Sequence, residues 1–313
     1  MTSERPWGVA DIPDLTGRRA LVTGVTSGLG EVTARELARA GAEVLLAARD
    51  EDKLAASTEA LARELPGARL VPVQLDLADL SSVRRGAAQA VARGPLDILV
   101  NNAGVMATPK ARTADGFELQ LGTNHLGHFA LTALLLDALH ASTDSRVVTV
   151  SSIMAATVRS VSLDDPRSER GLYWKWRAYG QSKLANLLFA FELDRRLRRA
   201  GWPITSLAAH PGYTRTNLVG AGMNLGRRRI DGVIAQAATA VVGQDAETGA
   251  LPQLRAAVDR TVPGGSYVGP GRFGELSGPP RLVAAPGPAH DPVLAARLWS
   301  LSEEATGVSF ALA

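Results

Sequence analysis

The chain contains no cysteine, which excludes disulfides, thiolate metal ligands and a cysteine nucleophile together. Long apolar runs are also missing. The longest, Phe129 to Leu136, stops at Asp137, well short of the ~20 residues that carry a helix across a bilayer, so no membrane span is expected. Around Glu4, Pro6, Asp11, Pro13 and Asp14 the N-terminal stretch lacks the apolar core of a signal peptide and does not read as a transit peptide, and a cytoplasmic protein is expected. Neither sign of charge dominates, with Lys+Arg 34 against Asp+Glu 31. The two arginine clusters, Arg195–Arg199 and Arg227–Arg229, are short enough to read as a solvated helix end or loop, so no nucleic-acid partner is expected.

What remains is an ordinary globular composition, 46% hydrophobic and 21% charged in 313 residues. After an irregular arm to Thr16, short apolar runs alternate with helix-period stretches. Ala20 to Val22, Val44 to Ala47, Leu70 to Leu75, Leu96 to Val100, Val147 to Val150 and Ile204 to Ala208 read as strands. Leu29 to Ala40, Asp52 to Leu65, Leu80 to Val91 and Ser182 to Leu197 read as helices. Such alternation builds βαβ units, hence an α/β fold with a parallel sheet covered on both faces. No linker divides the chain, and one domain over residues 1–313 is expected. The segment 261–290 holds too many glycines and prolines for more than a short strand, Ser266 to Val268. Asp291 followed by Pro292 starts a last helix that runs to about Thr306.

Chemistry enters at the turn after the first strand, Thr23-Gly24-Val25-Thr26-Ser27-Gly28-Leu29-Gly30. Glycines between a strand and a helix let the backbone approach a pyrophosphate, whose charge sits on the free N–H groups and positive dipole end of the helix. Further along stand Asn101-Asn102-Ala103-Gly104 at a strand end, Asn124 in Thr123-Asn124-His125-Leu126-Gly127, Ser151-Ser152 at another strand end, Tyr179-Gly180-Gln181-Ser182-Lys183, and Pro211-Gly212. Tyr179 and Lys183, four residues apart, project from one helical face. A fixed ammonium there favours phenolate, which predicts a Tyr179 hydroxyl that titrates below its usual ~10. His125, His128 and His210 lack the spacing of a metal site and read as hydrogen-bonded structural residues; no metal is expected.

Together these residues resemble the short-chain dehydrogenase/reductase family, in the branch that looks like the retinol dehydrogenases and carbonyl reductases, over about residues 17 to 218. The resemblance implies a single doubly wound Rossmann-type domain with a seven-stranded parallel sheet in the order 3-2-1-4-5-6-7, Ser266 to Val268 being the seventh strand. It assigns Ser152 to the substrate oxygen, Tyr179 to proton transfer, Lys183 to the nicotinamide ribose as well, and Asn124 to a water chain behind the lysine. Cofactor-binding positions carried over are Gly24, Thr26, Ser27, Gly28, Leu29, Gly30, Asp76, Leu77, Asn102, Ala103, Gly104, Tyr179, Lys183, Pro211, Gly212, Thr214 and Thr216. Arg49, at the end of the second strand, suits a bidentate contact to a 2′-phosphate, with Asp50 as a helix cap; family members similar in this Ala-x-Arg-Asp pattern tend to use NADP, so the resemblance implies NADP(H) in preference to NAD(H). The alternative leaves Arg49 in solvent and gives the ribose to Asp50.

The activity implied is hydride transfer between a nicotinamide and a carbonyl or alcohol. A second reading is a dinucleotide-binding sensor without turnover, whose mark would be a broken Ser, Tyr, Lys set. The interval of 27 residues from Ser152 to Tyr179 points to an inserted surface loop, Asp164 to Gly171. Met106, Met154, Trp174, Trp176 and Leu218 to Leu225 are candidate rim residues of a pocket for a lipophilic substrate. Leu187-Leu188-Phe189-Ala190-Phe191 makes one helix apolar on more than one face, as a homodimer or homotetramer interface would need.

Overall fold

The computed structural model describes residues 5–214 and 244–312. Thr216, Leu218 to Leu225 and Arg227–Arg229 lie outside the described residues.

Eight strands form one sheet: β1 (Arg19–Thr23), β2 (Glu43–Ala48), β3 (Leu70–Gln74), β4 (Ile98–Asn101), β5 (Ser145–Val150), β6 (Ile204–Ala209), β7 (Tyr267–Arg272) and β8 (Ser277–Leu282). Their order is β3-β2-β1-β4-β5-β6-β7-β8. All pairings are parallel except the last, β7 with β8. In register, Val22 of β1 lies between Leu46 and Val100. Successive side chains point to opposite faces. Ala20 and Val22 therefore join a core with α1 (Gly28–Arg39), α2 (Glu51–Glu64) and the later helix Ala246–Val258. Leu21 joins the opposite core with α3 (Leu80–Val91), α5 (Gly127–Leu134) and α7 (Lys175–Ala200). Short helices α4 (Leu119–Leu121) and α6 (Leu136–His140) flank α5, and among the described residues Ala246–Val258 is α8 and Pro292–Thr306 is α9. Asp50 caps α2 by accepting from Lys53 N, and Asp291 caps α9 by accepting from Val293 N and Leu294 N, both as their sequence predicts.

The seven parallel strands stand in the expected order, and the sheet adds an eighth, antiparallel strand, β8. The glycine- and proline-rich segment folds as a hairpin whose loop residues Phe273, Gly274 and Glu275 all take positive φ. Pro279 and Pro280 are tolerated because β8 is an edge strand, where a missing N–H breaks no inner ladder. Pro270 lies beyond the only β6–β7 pairs, Ala208 with Tyr267 and Ala209 with Val268.

A correction concerns α7. Its apolar breadth is met inside the chain: Leu187, Leu188, Phe189 and Ala190 are buried, Phe189 packs against Trp299 of α9 and Phe310, and Phe191 stacks on His290. Those residues therefore give no argument for an oligomer interface.

Candidate functional site

The C-terminal ends of the parallel strands are where an open α/β sheet presents a crevice. A groove of about 330 Å³ lies there, lined by Gly24, Thr26, Ser27, Gly28, Leu29, Gly30, Arg49, Asp76, Leu77, Asn102, Ala103, Gly104, Tyr179, Lys183 and Pro211. Residues some 190 positions apart in the chain thus meet at one surface. Gly212 and Thr214 stand just behind it, with Thr214 Oγ1 donating to the Pro211 carbonyl at 2.9 Å.

The glycine turn is built for close approach. Gly24 and Gly28 take φ of +76° and +62°, where a Cβ is disfavoured. At Gly30 a Cβ would stand 2.2 Å from the Gly24 carbonyl oxygen and 2.5 Å from Asn102 Nδ2. Asn102 fastens the turn from the neighbouring strand: its Nδ2 donates to Thr23 O at 2.7 Å, while Thr23 Oγ1 accepts from the N–H groups of Asn102 and Ala103, each at 2.9 Å. Gln253 of α8, buried, closes the back by donating to Thr33 Oγ1 and Asn102 Oδ1. Gln253 escaped the sequence reading, since it carries no local signal.

At the other end of the groove, α7 presents Tyr179 and Lys183 together, the ammonium 5.8 Å from the phenol ring centre. Lys183 Nζ donates to the Val150 carbonyl at 3.0 Å, at the tip of β5. Burial holds the lysine down to about 8. Burial also pushes the Tyr179 phenol up to about 12, with the Ser152 hydroxyl hydrogen-bonded to it pulling the other way. The shift is opposite to the expected one: both groups are almost wholly removed from water, and desolvation of the phenolate dominates. At neutral pH the hydroxyl keeps its proton, the form that donates to a carbonyl oxygen.

Asn124 sits in a π-helical turn, Gly122–Leu126, between α4 and α5. Such turns concentrate at functional sites. Its side chain is satisfied by protein: Oδ1 accepts from Val105 N at 2.7 Å, and Nδ2 donates to Val105 O and Ser182 Oγ, each at 2.9 Å. A Cβ on Gly104 would lie 3.0 Å from Asn124 Oδ1 and 3.6 Å from Lys183 Nζ, so glycine keeps the space beside the lysine open. The three histidines each hold hydrogen bonds: His128 between Thr23 Oγ1 and Asn124 O, His125 with Ser302 Oγ, and His210 with Gly212 N and Glu275. Burial pushes all three down, to about 4, 3 and 4 respectively, so they are neutral at pH 7.

Arg49 is exposed at the β2 end of the groove. Lys53, which the sequence reading passed over, lines the same end, with its Nζ 3.5 Å from Asp50. The candidate rim residues Met106, Met154, Trp174 and Trp176 do not line this groove. Met154 and Trp176 border a separate surface recess, and Trp174 is two-thirds exposed. The segment that follows the inserted loop Asp164 to Gly171 is instead fastened inward. Tyr173 hydroxyl donates to Glu118 Oε1 at 2.9 Å and accepts from Gln120 Nε2 at 2.8 Å. Gln120 also bonds Lys175 O and Ala107 N, tying the loop after β4 to the first turn of α7.

Three comparisons bear on this geometry. The short chain dehydrogenase family profile matches residues 18–164. Human retinol dehydrogenase 13 is 45% identical over 205 residues, which cover 65% of this chain and 61% of that protein; the chain thus spans less than two thirds of that relative's length. The short chain dehydrogenase/reductase dpchH of Colletotrichum higginsianum is 37% identical over 321 residues, 96% of this chain and 77% of the relative. Among solved structures, an uncharacterized protein from Mycobacterium paratuberculosis superposes with a TM-score of 0.80 at 46% identity, covering 98% of this chain and 99% of that one.

Proposed function

We propose that this chain, which belongs to the retinol dehydrogenase-like branch of the short-chain dehydrogenase/reductase family, interconverts a lipophilic ketone or aldehyde and its alcohol with NADP(H). The observation that carries the reading is that Tyr179 and Lys183 stand together in the wall of a glycine-lined groove, with the Ser152 hydroxyl hydrogen-bonded to the Tyr179 phenol. Membership in the family implies a nicotinamide dinucleotide, and the groove fits one: glycine stands where a Cβ would fill the cradle at Gly30 and crowd the lysine at Gly104. The turn Gly24 to Gly30 and the N-terminus of α1 would take the pyrophosphate. Asp76 and Leu77 would flank the adenine, with Asn102, Ala103, Gly104, Pro211, Gly212 and Thr214 along the rest. Arg49 and Lys53 supply two cations for a 2′-phosphate, while Asp50 is engaged in capping α2.

When bound, the nicotinamide supplies or takes the hydride. The chain's own work is the proton. Ser152 Oγ–H donates to the substrate oxygen, and Tyr179 gives that oxygen its proton in reduction or removes it in oxidation. Lys183, positively charged below about pH 8, stabilises negative charge left on the phenol. The lipophilic substrate class rests on similarity to the retinol dehydrogenase.

Tyr179→Phe is the test. The ring's packing stays and only the hydroxyl goes, so folding and NADPH binding survive while kcat falls by ~10² to 10⁴. Wild-type turnover in this variant, on any accepted carbonyl, would overturn the mechanism. A wild type that binds NADPH yet turns over nothing on a broad carbonyl panel would instead assign the sensor role.

A further inference from the structure

Large apolar side chains are normally scattered singly over a soluble surface, and a cluster marks an interaction site. Leu172, Trp174 and Trp176 are 87%, 67% and 45% exposed, three within five residues. Leu172 and Trp174 flank Tyr173, whose hydroxyl is tied inward to Glu118 and Gln120; alternation along an extended segment then turns its neighbours outward. The patch is continuous. Leu172 and Trp174 border one surface recess and Trp176 borders another, and Arg177 and Gln181 belong to both. Cations outnumber anions around it: Arg170 and Arg177 line the first recess with Asp165 beside Arg170, and Arg159 lines the second, with Lys175 between the two tryptophans. All four are exposed, and none forms an ion pair among the described residues.

We infer that the Leu172–Trp174–Trp176 patch with its unpaired cations docks on an anionic lipid surface. Tryptophan beside lysine and arginine is the composition of groups that settle at the headgroup level, and unpaired cations find their complement in acidic lipid headgroups. No helix among the described residues is long and apolar enough to span a bilayer. Docking there does not depend on the proposed reaction, and its test uses no substrate.

The full chain is floated with vesicles of phosphatidylcholine alone or doped with phosphatidylserine, and its tryptophan emission is recorded. Association with the doped vesicles, a blue shift on binding and weakening by salt are expected. Leu172→Ser/Trp174→Ser lowers the partition coefficient about tenfold or more through lost apolar burial. Arg170→Glu/Arg177→Glu lowers it about fivefold or more per charge. Circular dichroism and melting verify that both variants fold. No binding to either vesicle, equal binding to both, or undiminished binding by the folded Leu172/Trp174 variant would overturn the inference. So would a wild-type dimer that dissociates in that variant, which would assign the patch to a second copy of the chain.

Discussion

Lys183 is charged in a place that folding alone disfavours. It is 4% exposed, and burial lowers it from 10.5 to about 8. The sign follows from linkage: a lysine held down in the folded state opposes folding in full below about pH 8. The penalty shrinks between 8 and 10.5 and is gone above 10.5, because the neutral amine carries no cost of desolvation. At pH 7 that cost is about 3 kcal/mol. Lys183→Met is therefore expected to raise the melting temperature at pH 7 and to lose this advantage as pH approaches 10.5, while turnover collapses. The Val150 carbonyl is not orphaned by the change, since Asn186 Nδ2 also donates to it at 3.0 Å. Equal melting of variant and wild type at pH 7 would show that the ammonium is not the strained group. Arg49 is read by a second measurement. Its guanidinium has no ion pair among the described residues, and Arg49→Asp is expected to weaken NADPH relative to NADH by about 10- to 100-fold, the worth of lost charge-assisted hydrogen bonds. Lys53→Ala should move the ratio the same way by less. An unchanged NADPH to NADH preference in Arg49→Asp removes the 2′-phosphate from this end of the groove.

At the scale of elements, the glycine turn is a close fit between three pieces of backbone. Gly30→Ala puts a Cβ 2.2 Å from Gly24 O and 2.5 Å from Asn102 Nδ2, so either the turn opens or α1 shifts, at about 1–3 kcal/mol. A lower melting temperature and weaker NADPH binding are expected together; wild-type affinity in a folded variant would show that the cradle yields. This turn was legible because three glycines between a strand and a helix have a strong local meaning, and so were the capped starts of α2 and α9. The strand β8 was not. Gly278, Pro279 and Pro280 erase the alternation that marks a strand, and its place at the sheet edge is visible only once β7 is present. The π-helical turn at Asn124 has no sequence pattern of its own. The direction of the Tyr179 shift also lay beyond the sequence: the spacing of Tyr179 and Lys183 sets which charges meet, whereas the depth of burial comes from β5 and the loops around them. Tyr173, Gln120 and Glu118 form their hydrogen-bonded cluster across more than 50 residues, a separation no local pattern encodes.

For the molecule as a whole, the decisive packing is the cover that α9 and the residues after it place on α5 and α7. Trp299 is 2% exposed, with ring centres 5.2 Å from Phe129 and 4.6 Å from Phe310. The Arg196 guanidinium lies over the Trp299 ring at 4.2 Å, a cation–π contact that seals the cluster's rim. The same helix α7 carries Tyr179 and Lys183 toward the groove, so the tail supports the proposed catalytic face from its back. Trp299→Ala empties a large volume between two helices and the tail, and is expected to cost about 3–5 kcal/mol. The denaturant midpoint should fall with little change in slope. Because Phe129 and Phe189 lose their cover, light scattering should then detect self-association beyond that of the wild type at the same concentration. Kinetics discriminate further: at a temperature where the variant remains folded, a drop in kcat would mean that the tail helps hold α7 in place, and an unchanged kcat that its role is stability alone. A stability loss below about 1 kcal/mol, less than a buried large-to-small exchange costs, would mean that the core of the sheet holds α7 without the tail.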